Sequence, residues 1–362
     1  MIDQLVVGAS PGDAITGMAL RLRALFRRRG ESTLYGLFRD PALEHEVPHV
    51  HALPGPDDPS WRRRVLLVHA SIGHEYLEHV LFERRERLVL AWHNVTPPEL
   101  VRPTDPALAD ALALGLDQVR RARSRWSAVM ADSAFNASVL AGFGYGDVEV
   151  LPAGLDVHRL AAVVPDPAAE ARWRGGSGPL AVAVGQLLPH KRPDLVVDAV
   201  ALARRRGLPG LRLALVGHAR LAGYAEALRR RAEDAGLGAD VVLGAVPDAE
   251  LAALVRAADV VVSASEHEGL GLPPLEALAL GVPVVARACA ALPEVLGDAA
   301  VLVDPATGAD GLAAALVDVL GDPVRRAALA DAARRVVAGF DPARLDADAL
   351  ALAERVARRG RD

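Results

Sequence analysis

Two glutamates, Glu268 and Glu276, flank a loop in the segment DVVVSASEHEGLGLPPLEALALGVPVV, residues 259–285. The apolar start of this segment predicts a buried strand, and the two consecutive prolines suit the first turn of a helix. Backbone amides at such a helix start, with Gly269 and Gly271 allowing close approach, form an anion site suited to phosphate. Each carboxylate can also accept hydrogen bonds from sugar hydroxyls. The alternative is that Glu276, expected in the first helical turn, only complements the helix dipole and Glu268 is a solvated loop residue.

A single lysine, Lys191, occurs among the 41 basic residues, and the others are all arginines. It lies in VAVGQLLPHKRPDLVVDAV, residues 182–200, between an apolar run and a segment with helical periodicity. A lysine is a compact point charge, which the broad planar fork of an arginine does not replace. We therefore expect a functional cation at this position, against the alternative of an exposed lysine retained by chance.

Short apolar runs alternate with helical segments such as Ala14–Arg29 and Pro106–Arg123 along the whole chain. Continuous apolar strands alternating with helices indicate parallel sheets covered on both faces. The predicted strands are QLVVGAS, TLYGLF, RVLLVHA, RLVLAWHN, SAVMADS, VEVLPAG, LAVAVG, LRLALVG, VVLGAV, DVVVSAS, VPVVAR and AVLVD.

Two such series predict an α/β protein of two doubly wound, Rossmann-like domains facing a central cleft. We expect an N-terminal domain over residues 1–155 and a C-terminal domain over 156–340. A helix over 341–362 is expected to pack back on the first domain. The linker is predicted at Asp156–Pro179, which has proline, glycine and charge but little strand pattern.

Composition excludes several classes of protein. The 362 residues carry a net charge of −5, and neither half is basic enough to predict nucleic-acid binding. No apolar run approaches the roughly 20 residues that span a bilayer. The start of the chain lacks signal-peptide features, and the single cysteine, Cys289, fits a reducing cytosol. Arginine clusters at 21–29, 61–64 and 120–125 leave peripheral contact with the inner face of a membrane open, against the alternative of solvated helix faces.

Several segments together resemble the family-four retaining glycosyltransferases, which have the GT-B fold. The segment SEHEGLGLPPLEALALGVPVVA resembles their E-x7-E motif, and VGQLLPHKRPDLVVDAV resembles their strand, loop and helix with a phosphate-binding lysine. The turn VLPAGLDVHRL and the helix start ADSAFNASVLAGFGY match further family segments in the expected order.

The resemblance implies that the first domain binds the acceptor and that the second binds the nucleotide-sugar donor. It also assigns roles to individual residues of the second domain. Glu268 would contact the donor sugar, Glu276 would bind the nucleotide ribose, and Lys191 would stabilise the diphosphate leaving group. Gln186 stands where the family usually has an arginine, so one cation of the expected pair is replaced by an amide. The amides expected to hold the diphosphate are those of Gly269, Leu270, Gly271 and Leu272.

In the first domain, VGASPGDAITGMALRLRALFRRRG resembles the family's glycine-rich loop and following helix. Gly12 is expected near the donor phosphate, whereas Asp13 would repel it and is expected to cap the helix or face the acceptor. The family often has an active-site histidine where this chain has His93, although a structural role is the alternative there. For His69, at the end of another strand, we favour a structural role.

These residues imply transfer of a sugar from a nucleoside diphosphate to an acceptor hydroxyl with retained configuration. The acceptor would be a saccharide, a lipid-linked group or a small molecule. No cofactor or metal is expected, because the only D-x-D, Asp346 and Asp348, lies in a tail helix. The alternatives are an epimerase, a nucleotide-sugar binder without catalysis, or an oxidoreductase. Against the last, no G-x-G-x-x-G follows a strand.

Overall fold

The chain divides into two α/β units. The computed structural model describes residues 1–55, 57–221, 223–237 and 244–358. Unit 1 comprises Met1–Asp156 together with Phe340–Asp362, and unit 2 comprises Val157–Gly339.

Each unit contains one sheet in which every strand pairs in parallel with its neighbours. The order is β2-β1-β3-β4-β5-β6 in unit 1 and β11-β10-β9-β7-β8 in unit 2. The strands are β1 (Ile2–Ala9), β2 (Leu34–Arg39), β3 (Val65–Ala70), β4 (Arg87–Trp92), β5 (Trp126–Ala131), β6 (Glu149–Val150), β7 (Leu180–Val184), β8 (Arg212–Val216), β9 (Val260–Ser263), β10 (Val284–Arg287) and β11 (Ala300–Val303).

Helices follow most strands, as parallel connections require. Unit 1 contains α1 to α5 and α15, and unit 2 contains α6 to α14. The helices are α1 (Ala14–Arg27), α2 (Glu75–Phe82), α3 (Pro98–Val101), α4 (Pro106–Arg121), α5 (Ala134–Gly142), α6 (Arg159–Ala162), α7 (Pro167–Arg174), α8 (Pro193–Arg205), α9 (Tyr224–Asp234), α10 (Asp248–Ala257), α11 (Leu272–Ala279), α12 (Leu292–Leu296), α13 (Gly308–Gly321), α14 (Pro323–Ala338) and α15 (Pro342–Arg358).

Strand β1 shows how the sheet of unit 1 is covered on both faces. Leu5 and Val7 pack in one buried cluster with Leu77 of α2, whereas Val6 packs in another with Ala19 of α1. Side chains alternate between the two faces of a strand, so helices cover both sides of this sheet. The predicted doubly wound α/β class is confirmed.

Several helices begin with an aspartate followed by proline. The carboxylate accepts a hydrogen bond from a first-turn amide, and proline loses no helical bond in that position. Asp105 accepts from the Leu108 amide at 3.0 Å, and Asp322 accepts from the Val324 amide at 2.8 Å. These local signals set the starts of α4 and α14.

The linker prediction for Asp156–Pro179 is corrected by the structure. This segment forms α6 and α7, and all of it after Asp156 belongs to unit 2. Trp173 is buried, and its carbonyl accepts a 2.8 Å hydrogen bond from Arg212. A segment without strand pattern is therefore an ordered part of the second unit. Of the predicted strand VVLGAV, residues 241–243 lie outside the described residues.

Helix α15 lies with unit 1, where it packs against α1, β3 and β5. Arg21 of α1 forms an ion pair with Asp346 at 2.9 Å, and Arg355 forms one with Glu149 at 2.6 Å. The end of the chain therefore stabilises the unit that contains its beginning.

The close approach of Gly73 to helix α4 gives a test of the packing in unit 1. A Cβ atom at this position would lie 2.2 Å from the backbone nitrogen of Gly115. We expect Gly73→Ala to lower the free energy of unfolding by about 1–3 kcal/mol, as overpacked sites do. Urea unfolding followed by circular dichroism measures this change.

The matched control is Gly17→Ala in α1, where a Cβ meets nothing within 4 Å. Removing a helical glycine there should stabilise the protein by roughly 0.5–1 kcal/mol. A Gly73→Ala protein with an unchanged unfolding midpoint would refute this account of the contact.

Candidate functional site

The lone lysine forms an ion pair with the first glutamate of the E-x7-E motif. Lys191 ends a 3₁₀ turn, Pro189–Lys191, that follows β7, and Glu268 lies in the loop after β9. Strands β7 and β9 are neighbours in the sheet, so both residues lie at its carboxyl edge. The Lys191 Nζ to Glu268 Oε1 distance is 2.8 Å. The Lys191 and Glu268 side chains are 26% and 15% exposed, so both are partly open to solvent.

A serine that the sequence reasoning missed completes this contact. Ser265 is buried, and its hydroxyl donates to Glu268 Oε1 at 2.7 Å. Burial alone would raise the pKa of the Glu268 carboxyl, but the Lys191 charge and the bonds from Lys191 and Ser265 hold that pKa below its ordinary value of 4.5. Glu268 is therefore ionised at neutral pH, with Oε1 oriented by two donors.

Two other titratable groups beside Glu268 are uncharged at neutral pH. Burial, followed by the Lys191 charge, lowers the pKa of His190 to about 4. Burial, followed by the Glu268 charge, raises the pKa of Cys289 to about 11. The cation that neutralises Glu268 is therefore Lys191, and the Cys289 thiol is not an activated nucleophile.

The nearby arginines are directed to other carboxylates. Arg192 contacts Asp194 at 3.0 Å and Glu266 at 2.9 Å, and Arg287 approaches Glu266 at 3.9 Å. Arg192 therefore pairs with carboxylates other than Glu268, the partner of Lys191. Gln186 follows β7 in the predicted place. Its backbone carbonyl accepts a hydrogen bond from the Leu188 amide at 2.8 Å.

The loop between Glu268 and α11 has the backbone expected of an anion site. Gly271 precedes the helix with φ of 85°, a left-handed conformation that favours glycine, and a Cβ there would lie 2.4 Å from a Leu292 methyl carbon. Because Pro273 and Pro274 have no N–H, the amides at this helix start come from Gly269–Leu272.

Glu276 lies deeper in the helix than predicted. It is the fifth residue of α11, so its expected place in the first turn is wrong. Its carboxylate is 5% exposed and accepts from Arg159 Nε at 3.1 Å. Arg159 also contacts Asp248 at 2.7 Å. The contact with Arg159 therefore orients the Glu276 carboxylate.

The predicted residues of unit 1 lie at the carboxyl edge of its own sheet. Gly12 precedes α1 with φ of 76°, and Asp13 caps that helix by accepting from the Thr16 amide at 2.8 Å. The capping alternative for Asp13 is confirmed. His93 directly follows β4, and its side chain is 3% exposed. His69, within β3, is buried and hydrogen-bonded, in line with a structural role.

Neither a cluster of metal ligands nor a membrane-spanning helix occurs in the described residues. Within residues 1–55, 57–221, 223–237 and 244–358, no three histidine, cysteine or carboxylate side chains are arranged to share a metal ion. None of the helices in this part of the chain combines the length and apolar character that a membrane crossing needs.

Comparison with known proteins identifies the second unit. Residues 171–336 match the profile of the family described as Glycosyl transferases group 1. Over these residues, the chain is similar to the group 1 glycosyl transferases. The matched range contains Gln186, Lys191, Glu268 and Glu276, so every predicted site residue of unit 2 lies in the family region.

Curated relatives share this region. A GDP-mannose-dependent alpha-(1-6)-phosphatidylinositol monomannoside mannosyltransferase of Mycolicibacterium smegmatis is 38% identical over 201 residues, 52% of this chain and 50% of the relative. A D-inositol 3-phosphate glycosyltransferase of Actinosynnema mirum is 34% identical over 266 residues, 67% of this chain and 60% of the relative. The chain thus spans about half the length of the first of these curated relatives.

Solved structures extend the likeness to the whole chain. Sucrose-phosphate synthase from Thermosynechococcus elongatus superposes with a TM-score of 0.77 at 19% identity, covering 98% of both chains. Anabaena HepE in complex with UDP and glucose gives 0.75 at 20% identity, covering 99% of both. At these identities the likeness establishes the fold alone. The predicted GT-B fold is confirmed.

The Lys191–Glu268 ion pair predicts a shift in the pKa of the Glu268 carboxyl when the lysine is replaced. In Lys191→Met, burial of Glu268 no longer has a cation to oppose it, so we expect its pKa to rise above 4.5. Carboxyl-carbon NMR against pH measures the shift. Arg172→Met, which removes an exposed cation paired with Glu250, is the control and should leave Glu268 unchanged.

The sign of the stability change follows from the same shift. In the wild type the depressed pKa contributes stability above the unfolded pKa, and that contribution is lost as pH falls through the folded value. In Lys191→Met the raised pKa of Glu268 reverses the sign of this contribution. Burying the unpaired carboxylate then destabilises the folded protein at neutral pH, and protonating it at lower pH removes that cost. The loss at neutral pH should stay below the roughly 3–5 kcal/mol of a fully buried broken pair. A Glu268 pKa that stays depressed in Lys191→Met would contradict the assignment.

Proposed function

We propose that the chain is a metal-independent, retaining glycosyltransferase that moves a hexosyl group from a nucleoside diphosphate to an acceptor hydroxyl. The observation that carries the proposal is the Lys191–Glu268 ion pair, formed in the group 1 region at the carboxyl ends of neighbouring strands. In open α/β sheets, ligands bind outside the carboxyl ends of strands.

Lys191 would stabilise the departing diphosphate. An ammonium has three N–H donors, so one can remain on Glu268 while another reaches a phosphate oxygen. The contact with Glu268 fixes the cation before the donor binds. A fixed cation costs no reorganisation as negative charge develops on the leaving group, and therefore it lowers the barrier.

Glu268 would hold the donor sugar, because two donors already orient Oε1 and the carboxylate retains acceptor capacity for sugar hydroxyls. Glu276, ordered by Arg159, would accept from the ribose hydroxyls. The amides of Gly269–Leu272 would bind the diphosphate. Gln186 would donate an amide hydrogen bond where relatives of this type supply an arginine.

We assign the acceptor to unit 1, in which Gly12 and His93 stay predicted site residues. In the proposed step, the bond from the anomeric carbon to the phosphate oxygen breaks, and a bond from that carbon to the acceptor oxygen forms on the same face. The acceptor proton passes to the leaving phosphate oxygen. No cofactor and no covalent nucleophile take part.

The names of the relatives suggest the first substrates to test. Two are a GDP-mannose-dependent enzyme acting on a phosphatidylinositol mannoside and a D-inositol 3-phosphate glycosyltransferase. We therefore propose GDP-mannose as the first donor to test, with UDP-sugars as comparison. Lipid-linked and soluble inositol acceptors are the first acceptor classes. Peripheral membrane contact through the arginine clusters stays a prediction, and nucleic acid is not a proposed partner.

One assay separates sugar transfer from the activity of an epimerase and from binding without catalysis. The protein is incubated in EDTA with each nucleotide sugar, with and without acceptor, and nucleoside diphosphate is measured. If the protein transfers sugar, we expect more nucleoside diphosphate to be released when acceptor is present than when it is absent. An isomerised nucleotide sugar without release would show an epimerase, and binding without either product would show a non-catalytic binder. Activity abolished by EDTA and restored by magnesium or manganese would refute metal independence.

Removing the lone cation should affect turnover more than donor binding. We expect Lys191→Ala to lower kcat about 10²- to 10³-fold at saturating donor, because the lost contact strengthens in the transition state. Lys191→Arg keeps the charge but not its shape and should recover only part of the rate. Diphosphate release measures both effects, and circular dichroism checks folding.

The control for this prediction is Arg172→Ala, which removes an exposed cation elsewhere in unit 2 and should leave kcat unchanged. A folded Lys191→Ala protein with wild-type turnover would show that the lysine has no catalytic role.

A further inference from the structure

The ring of His93 is hydrogen-bonded at both nitrogens by groups on neighbouring strands. Its Nδ1 lies 2.8 Å from Oδ2 of Asp132, which directly follows β5. Its Nε2 lies 2.8 Å from Nδ1 of His69. The two imidazole rings are nearly parallel, with an interplanar angle of 5° and centroids 5.1 Å apart, as an edge-to-edge hydrogen bond between them requires. Both ring nitrogens of His93 are thus engaged within unit 1.

The protons on the His69 and His93 rings can be assigned by starting from Gln4, at the other end of this chain of hydrogen bonds. Gln4 is fully buried, and its amide nitrogen donates to the Ala19 carbonyl at 3.0 Å. A carbonyl can only accept, so the other end of the Gln4 side chain, Oε1, faces His69 Nε2 at 2.9 Å. This oxygen also can only accept. His69 must therefore donate from Nε2.

His69 has no second proton to donate. It is fully buried, and burial lowers its pKa well below its ordinary value of 6.5. A neutral imidazole protonated at Nε2 has an acceptor at Nδ1. The 2.8 Å contact between the rings is then a hydrogen bond only if His93 donates from Nε2.

The other nitrogen of His93 faces a carboxylate. Asp132 can only accept when ionised, so His93 donates to it from Nδ1. Among the described residues, Asp132 and His69 are the titratable groups that bond to this ring. We propose that His93 is held as an imidazolium, protonated at both nitrogens, and that Asp132, His69 and Gln4 are the positioning residues that hold it.

This assignment deepens the proposed function and depends on it for its catalytic consequence. An imidazolium whose two N–H groups are both occupied has no lone pair with which to take the proton of an acceptor hydroxyl. His93 therefore acts by position and charge and not as a general base. The proposed function gives the acceptor proton to the leaving phosphate oxygen, which agrees with this assignment.

The backbone after His93 is fixed by a second pair of side chains. Asn94 has a left-handed φ of 69°, and its amide nitrogen donates to Asn136 Oδ1 of α5 at 2.7 Å. Consecutive residues after β4 are thus tied to groups that follow β5. The loop is held in one conformation, as a positioning role for Asp132 requires.

The test is the protonation state of each ring, read from two-bond ¹H–¹⁵N NMR correlations of the full chain with ¹⁵N-labelled histidine at neutral pH. These spectra distinguish an imidazolium from each neutral tautomer. We expect His93 to carry protons on both nitrogens and His69 to carry one, on Nε2. Through-bond correlation to the backbone assigns the signals without a variant. The experiment needs no substrate, so its outcome is independent of whether transfer is observed.

Asp132→Asn removes the counter-charge, and we expect His93 to lose one of its two ring protons. Asp117→Asn, at an exposed residue paired with Arg121 on α4, is the matched control and should leave both histidine patterns unchanged. A neutral His93 in the wild type would overturn the proposal. So would an imidazolium that persists in a folded Asp132→Asn protein.

Discussion

The contact between the Lys191 ammonium and the Glu268 carboxylate, at 2.8 Å, constrains the loops at the carboxyl edge of the sheet in unit 2. It exists because β7 and β9 are adjacent and parallel, so the loops that follow them meet at one edge. Each group lowers the cost of partly burying the other. Ser265 takes up a further acceptor site on the carboxylate. The structure thus holds a cation and an oriented carboxylate in place before any ligand binds.

The edge of unit 1 uses the same principle with different residues. There the His93 ring is fixed between Asp132 and His69. The buried Gln4 amide determines which ring nitrogens of His69 and His93 carry protons. In both units a charged group is paired within the unit and oriented by a buried polar partner. Charges held in this way need little rearrangement when a reaction develops new charge, which is the basis of electrostatic preorganisation.

The sequence predicted the parts of this architecture that depend on local pattern. Strands could be predicted because buried parallel strands are continuous apolar runs. The candidate site residues were predicted because ligands bind at the loops after such strands. Partners set by the order of strands could not be read. Asp132 meets His93 only because β5 pairs with β4. The linker was misassigned because nothing local shows that Trp173 packs into unit 2. Gly271 was predictable because its backbone requirement is local.

The most direct measurement of the central claim uses the fact that Lys191 is the only lysine in the chain. Lysine labelled with ¹³C at the ε-carbon gives one ε signal, which is followed while GDP or UDP is added. The account predicts a saturable shift of this signal, with the same dissociation constant that calorimetry gives for the nucleotide. A signal that stays unchanged at nucleotide concentrations that saturate calorimetric binding would show that the diphosphate does not contact Lys191.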